Sequence, residues 1–221
     1  MVQGLIYDSL KGEVADFLHE KGFKREKRSF KMFAFSRLLG NYNIDKTKGI
    51  IVFGDEISLI VSSPYDEFCN SLASNMLLKK NLRLGENTLE VVKFIMERDI
   101  VSENRINIKT LSPIVAYSTL LRPDGRKYTC YFEPGEKDFC RLIENNLRKK
   151  YEAFYKKEAP DGEFEIRQLH KPKMSVMSYK QTVIKGYSGR FELSGSIQML
   201  QMAVDAGLGS KNSQGFGCIR L

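Results

Sequence analysis

The sequence predicts an α+β fold of two halves, each built from helices and antiparallel strands. Three observations carry this expectation. Apolar residues recur at three- and four-residue spacings in separated segments. Short runs rich in Val, Ile, Tyr and Phe lie between them. The order in which the two kinds alternate then returns in the second half of the chain. At 221 residues the chain is long enough for two domains of about 100 each, and 42% hydrophobic residues supply their cores.

In the first half, Leu5, Ile6, Leu10, Val14, Phe17 and Leu18 predict a helix that Gly12 interrupts and Gly22 stops. Phe30, Phe33 and Phe35 predict a strand, and Gly49 to Ser63 one long strand or a hairpin around Gly54-Asp55. Phe68, Leu72, Met76 and Leu77 share one face of a helix from Tyr65 to Lys80, and a strand over 87–95 follows. In the second half, 105–120 and Lys127 to Phe132 read as strands. Phe139, Leu142, Ile143, Leu147, Tyr151 and Phe154 mark a helix over Gly135 to Tyr155. Phe164 to Ile166 and Val176 to Leu193 read as strands, Ser196 to Ala206 as a helix, and GFGCIRL as a last strand. Each half is thus a helix, two strands, a helix and a strand. Only the second half shows the leading strand of a split βαβ, or ferredoxin-like, unit. No Pro/Ser-rich linker separates the halves, so they are expected to pack tightly. The boundary should fall near 98–105, giving domains 1–100 and 101–221.

Composition narrows the function. The start has no basic, then apolar, leader, and no stretch is apolar enough to span a membrane, so a cytoplasmic protein is expected. Cys69, Cys130, Cys140 and Cys218 are scattered without CxxC spacing, and His19 and His170 are the only histidines. A zinc site is not expected, nor any cofactor. Net charge is +8 and the pI about 9.2, which favours an anionic partner. KGFKREKRSFK (21–31) holds six basic residues against Glu26. RQLHKPKMSVMSYK (167–180) holds Arg167, Lys171, Lys173 and Lys180 with no acid. Arg148, Lys149, Lys150, Lys156 and Lys157 form a third run. One run is usually a solvated face; three point toward nucleic acid.

The stretch AGLGSKNSQGFG, near the C-terminal end, sets Gly207, Gly209, Gly215 and Gly217 around Lys211, Asn212 and Ser213. Glycine-rich turns let backbone N–H groups approach an anion. There is no GK[ST] ending and no third glycine of GxGxxG, and the loop follows a helix instead of opening one, so a nucleotide cofactor is disfavoured. A plain helix stop at Gly207 is the competing reading.

A glycine-rich loop joining the last helix to the last strand resembles that of the repeat-associated (RAMP) superfamily. VQGLIYDSL near the start, FLHEKG (17–22), FKMFAFSRL (30–38), LSPI (111–114) and HKPK (170–173) resemble the CRISPR-associated endoribonuclease family that cuts precursor CRISPR RNA inside its repeats. The resemblance covers nearly the whole chain. It implies tandem ferredoxin-like (RAMP/RRM-like) domains, and a strand ahead of the VQGLIY helix that this sequence lacks. It also implies metal-independent cleavage: the neighbouring 2′-OH attacks phosphorus, leaving a 2′,3′-cyclic phosphate and a 5′-OH. On the matching positions His19 is the catalytic histidine, Tyr7 the tyrosine that joins it in some members, and Lys31 the lysine that steadies the transition state.

Tyr7 and His19 are twelve residues apart, about 18 Å on one straight helix. They share a phosphate only if the chain breaks between them, and Lys11-Gly12 is the expected place. Lys31 is expected in a strand whose face carries Phe33, Phe35 and Arg37. The expected RNA contacts are Lys24, Arg25, Lys27, Arg28, Arg37, Arg167, His170, Lys171 and Lys173, together with the glycine loop. The partner is CRISPR repeat RNA, read as single strands or a hairpin because the A-form major groove is closed to side chains. Subunits of an effector complex and a second copy of the chain are further candidate partners. Two alternatives stand beside this reading: a non-catalytic RAMP subunit that only holds RNA, and a ferredoxin-like phosphatase or metabolite-binding domain.

Overall fold

The computed structural model describes residues 1–79, 81–179 and 182–221. Lys80, at the end of a predicted helix, and Lys180, in a basic run, lie outside the described residues.

The first helical segment is two helices, α1 (Val2–Asp8) and α2 (Gly12–Asp16). The break leaves the Lys11 N–H without a helical acceptor, and it donates instead to Ser71 Oγ at 2.7 Å. α2 then widens into a π-helical turn, Phe17–Lys21, closed by the Gly22 N–H on the Phe17 carbonyl at 2.6 Å. A tight hairpin follows, β1 (Phe23–Arg25) on β2 (Arg28–Phe30).

The strand expected over 30–38 is cut short. Met32 takes a left-handed φ of +53°, and only β3 (Ala34–Phe35) is strand. Ser63 Oγ donates to the Met32 carbonyl at 2.6 Å. Left-handed backbone costs a non-glycine residue about 1–2 kcal/mol. Burying the Met32 side chain, 3% exposed, returns about 2 kcal/mol, so the twist is sustainable.

The segment 49–63 is neither one strand nor its own hairpin. β4 (Tyr42–Asp45) pairs with β5 (Ile50–Phe53), and β6 (Val61–Ser62) pairs with β3. Ile50, Ile51 and Val52 are exposed, so this apolar run is a projecting hairpin and not a core strand. α3 (Asp66–Leu78) follows as expected. The strand expected over 87–95 is only β8 (Asn87–Leu89), paired with β7 (Leu82–Leu84).

The second half follows its prediction closely. Its strands are β9 (Arg105–Thr110), β10 (Ala116–Leu121), β11 (Lys127–Phe132), β12 (Glu165–Gln168), β13 (Lys173–Tyr179), β14 (Thr182–Ser188), β15 (Arg190–Ser194) and β16 (Ile219–Arg220). Its helices are α4 (Lys137–Tyr155) and α5 (Ile197–Ala206). Four strands form an antiparallel sheet in the order β12-β15-β9-β16. The units β9–α4–β12 and β15–α5–β16 therefore interleave, which is the ferredoxin-like arrangement. Ile108, Phe191 and Leu193 from the sheet meet Phe139, Ile143 and Leu147 of α4 and Leu200 and Ala203 of α5 in one core. The hairpins β10–β11 and β13–β14 are additions to that unit.

The halves share an extensive seam. Phe23, Phe30 and Met32 pack into the second half's core, whereas Phe33 packs with Ile6, Leu18 and Phe68 in the first. Phe23 meets Phe154 of α4 at 5.1 Å between ring centroids. Arg25 pairs with Glu152 at 2.7 Å and Glu26 with Lys149 at 3.0 Å. LSPI lies in this seam: the Leu111 carbonyl accepts from the Arg37 N–H, and the Pro113 carbonyl from the Gly217 N–H.

Candidate active site

The break at Lys11 folds α2 back on α1. The Tyr7 and His19 rings then meet edge to face, with centroids 6.2 Å apart. Tyr7 also rests on Phe33, at 5.8 Å. Its phenol is half-buried, and burial raises its pKa above the ordinary value, so it remains an O–H donor near neutrality. His19 is exposed on the π-helical turn. Such turns shift side-chain register within a helix and recur at functional sites.

Lys31 approaches from the other side. It lies between β2 and β3, outside both strands, because the left-handed Met32 ends the extended run. Its ammonium donates to the His19 carbonyl at 2.9 Å, and partial burial lowers its pKa. Gly22 permits this approach. Its φ is +60°, and a Cβ there would stand 2.6 Å from Ser29 Oγ and 2.7 Å from the Phe30 carbonyl. Tyr7, His19 and Lys31 are thus brought together by a helix break, a π turn, a glycine and one twisted methionine. Among the described residues no three His, Cys, Asp or Glu side chains gather as a metal site.

The other predicted contacts divide. Lys24, Lys27, Arg28, His170, Lys171 and Lys173 are exposed. Arg25 and Arg167 are exposed but paired, with Glu152 and Glu192 respectively. Arg37 reaches the sulfur of Met177 on β13. Four of the five basic residues of the third run have partners within the protein. Arg148 binds Glu144 and the carbonyls of Pro160 and Gly162. Lys149 binds Glu26, and Lys157 sits over the rings of Tyr151 and Tyr155. Lys150 is buried.

The glycine loop is a knot in which several N–H groups are bonded internally. Leu208 N–H donates to Gly217, Ser210 N–H to Val115, Gly215 N–H to Asn212 and Gly217 N–H to Pro113. Those four N–H groups are taken up within the protein. Asn212 is buried, and its amide binds the Leu208 and Phe216 carbonyls, so its side chain serves the loop. Gly207, Gly209 and Gly217 are buried as well; Lys211, Ser213 and Gly215 reach the surface in part. A Cβ on Gly207 would meet Ala34, and one on Gly215 would meet the Phe35 ring, each at 2.8 Å. The loop therefore braces β3, two residues beyond the Met32 twist.

Sequence reasoning missed Ser71, Met32 and Lys150. For Lys150 a signal existed: it falls three residues after Leu147 and seven after Ile143, on the apolar stripe of α4.

An interleaved ferredoxin-like unit with a glycine knot after its last helix, packed against a first half of helices and short strand pairs, is the class of fold the chain adopts. The chain belongs to the Cas6 family of CRISPR-associated proteins. The family model described as CRISPR associated protein Cas6, C-terminal, matches residues 95–221. The chain is 30% identical over 195 residues to CRISPR-associated endoribonuclease Cas6 1 of Methanocaldococcus jannaschii, covering 87% of this chain and 74% of that one. It is 27% identical over 234 residues to CRISPR-associated endoribonuclease Cas6 of Pyrococcus furiosus, covering 100% and 80%. A solved RAMP protein, described as binding different RNA substrates, shares the fold with a TM-score of 0.83 at 22% identity, over 100% of this chain and 89% of that chain. Among the described residues no helix is long and apolar enough to cross a membrane.

Proposed function

We propose that this chain is a metal-independent endoribonuclease that cuts precursor CRISPR RNA within its repeats. The observation that carries the reading is the meeting of Tyr7, His19 and Lys31 across the broken helix. The two relatives named as CRISPR-associated endoribonucleases support the substrate class.

In this reading the 2′-O attacks the adjacent phosphorus and the P–O5′ bond breaks. The products are a 2′,3′-cyclic phosphate and a 5′-OH. His19, exposed and of the residue type suited to proton exchange near neutrality, moves the proton between the 2′-OH and the leaving 5′-oxygen. Tyr7 orients the histidine ring or donates a hydrogen bond; its raised pKa argues against a phenolate base. Lys31 uses one N–H on the His19 carbonyl and turns the others to the charge growing on phosphate. Lys24, Lys27, Arg28, Arg37, His170, Lys171 and Lys173 hold the RNA backbone, joined by Lys211 and Ser213 at the loop surface. The same reading divides the chain into a catalytic domain, 1–100, and a glycine-loop domain, 101–221, working in the cytoplasm.

The test is a labelled repeat RNA incubated with the protein in EDTA, beside His19→Ala. A single cut with a cyclic-phosphate end, lost in the variant while binding persists, is the expected result. Binding without cutting by the unaltered chain would replace this reading with that of an RNA-holding RAMP subunit. No binding would sink the RNA reading altogether.

A further inference from the structure

Lys150 sits on α4, and its ammonium has no carboxylate partner among the described residues. It is 2% exposed. Lysine is almost never so buried without a pair, and burial here pulls its pKa down to about 7. A methionine would fill similar space without that cost, so the charge needs an explanation.

The explanation lies in what the ammonium touches. Nζ donates to the carbonyls of Gly207 at 2.6 Å and of Ala206 and Gly209 at 3.3 Å. Three N–H bonds thus meet three oxygens. Those oxygens belong to the end of α5 and the start of the glycine loop. A helix end leaves carbonyls without partners and carries partial negative charge. Gly207 leaves the helix with φ +77° and ψ +163°, and a side chain from another helix closes the end.

Contacts lead from this clamp toward the active site. Gly207 lies against Ala34, and Gly215 against Phe35. Phe35 stacks on Phe33, and Phe33 meets Tyr7. The same stretch of α4 holds the other flank: Lys149, Glu152 and Phe154 grip Glu26, Arg25 and Phe23 of the β1–β2 hairpin, between His19 and Lys31 in the chain.

We propose that Lys150 is a positioning residue for RNA cleavage, its buried ammonium holding the glycine loop in the one shape that seats β3 beside the Tyr7–His19–Lys31 cluster. The inference rests on the endoribonuclease reading above. Its distinguishing signature is a split between stability and rate. Removing the ammonium relieves the cost of burying a charge but leaves the Ala206, Gly207 and Gly209 carbonyls without that donor. The two effects oppose in stability, whereas a small displacement of reacting groups lowers rate by about a hundredfold.

The test uses the full chain with Lys150→Met, and Lys150→Gln as a second variant that keeps N–H donors without charge. Amide exchange on the RNA-free protein should speed up about tenfold at Leu208, Gly215 and Gly217, as expected for loss of a charged hydrogen bond. The β9 and β15 amides should keep their protection, and the melting temperature should change little. Single-turnover cleavage of repeat RNA should drop about a hundredfold with affinity retained, and Gln should recover part of the rate. Unchanged loop exchange overturns the clamp. A loosened loop with normal cleavage overturns the positioning role. A matched fall in melting temperature and rate in both variants reduces Lys150 to a packing residue. If the unaltered chain binds RNA but does not cut it, the endoribonuclease reading fails and the positioning role with it, while the exchange data still decide whether the clamp exists.

Discussion

The turn that carries His19 and the loop that follows α5 both use unusual backbone, and they use it in opposite ways. At His19 the chain widens into a π turn and leaves a titratable side chain exposed. Around Gly207 to Gly217 it folds on itself, and the Leu208, Ser210, Gln214, Gly215 and Gly217 N–H groups bond to carbonyls of the protein. The sequence marked both, the glycine loop by its composition and His19 by the family resemblance of FLHEKG. In the structure the loop packs against β3 as a brace, and the π turn leaves His19 open to solvent.

Three substitutions test the contrast, beginning with the largest effect. His19→Ala should lower single-turnover cleavage by about 10²–10⁴-fold, the usual share of a general acid–base residue, with affinity preserved. Equal loss of binding and cutting would break the division between site and brace. Gly217→Ala should act on stability instead. The added Cβ would stand 1.9 Å from the Leu208 carbonyl at a φ of +68°, and a cost of about 4 kcal/mol or more is expected in urea denaturation. Gly49→Ala is its control: φ is +65° with nothing within 4 Å, so the strain alone should cost about 1 kcal/mol. If the two cost the same, the loop is not close-packed.

Smaller effects sharpen the picture of RNA contact. Lys27→Ala should weaken binding across sequences and reduce the salt slope by about 0.7, the value for one single-strand phosphate contact. Arg25→Ala, which also unlinks Glu152, should lower the melting temperature too. Smallest is Tyr7→Phe, which keeps the ring contacts and removes the hydroxyl. A rate loss of no more than about tenfold is expected. Because burial raises the Tyr7 pKa, the phenol stays protonated throughout the neutral range. The pH profile from about 6 to 9 should therefore be unchanged by the substitution. A lost basic limb would make Tyr7 the base.

Legibility followed the length of the local pattern. α4 and α5 were readable because each runs several turns with one apolar face. The strands of the second half were readable because they alternate between a core and an open face. Ala34-Phe35 and Val61-Ser62 are too short to show a period, and the partner of Ile50–Phe53 lay upstream, in Tyr42–Asp45, which no signal marked. At the site, Gly12 announced the helix break, and the family resemblance supplied Tyr7, His19 and Lys31. Nothing in FLHEK announces a π turn, since its hydrogen bonds differ from those of an α-helix by one residue. The run at 148–157 misled because charge in a sequence does not say where it points: Arg148, Lys149 and Lys150 serve the protein itself.

The twist at Met32 carries a consequence for how the protein is made. Neighbouring residues 32 and 33 enter different cores, so the peptide that delivers Lys31 is stitched into both halves. A ribosome that has released the first half has released Tyr7, His19 and Lys31, yet the Met32 side chain has no core to enter until the second half has emerged. Nuclease activity should accordingly arise late in synthesis and all at once, and fragments that stop short of α4 should leave RNA intact.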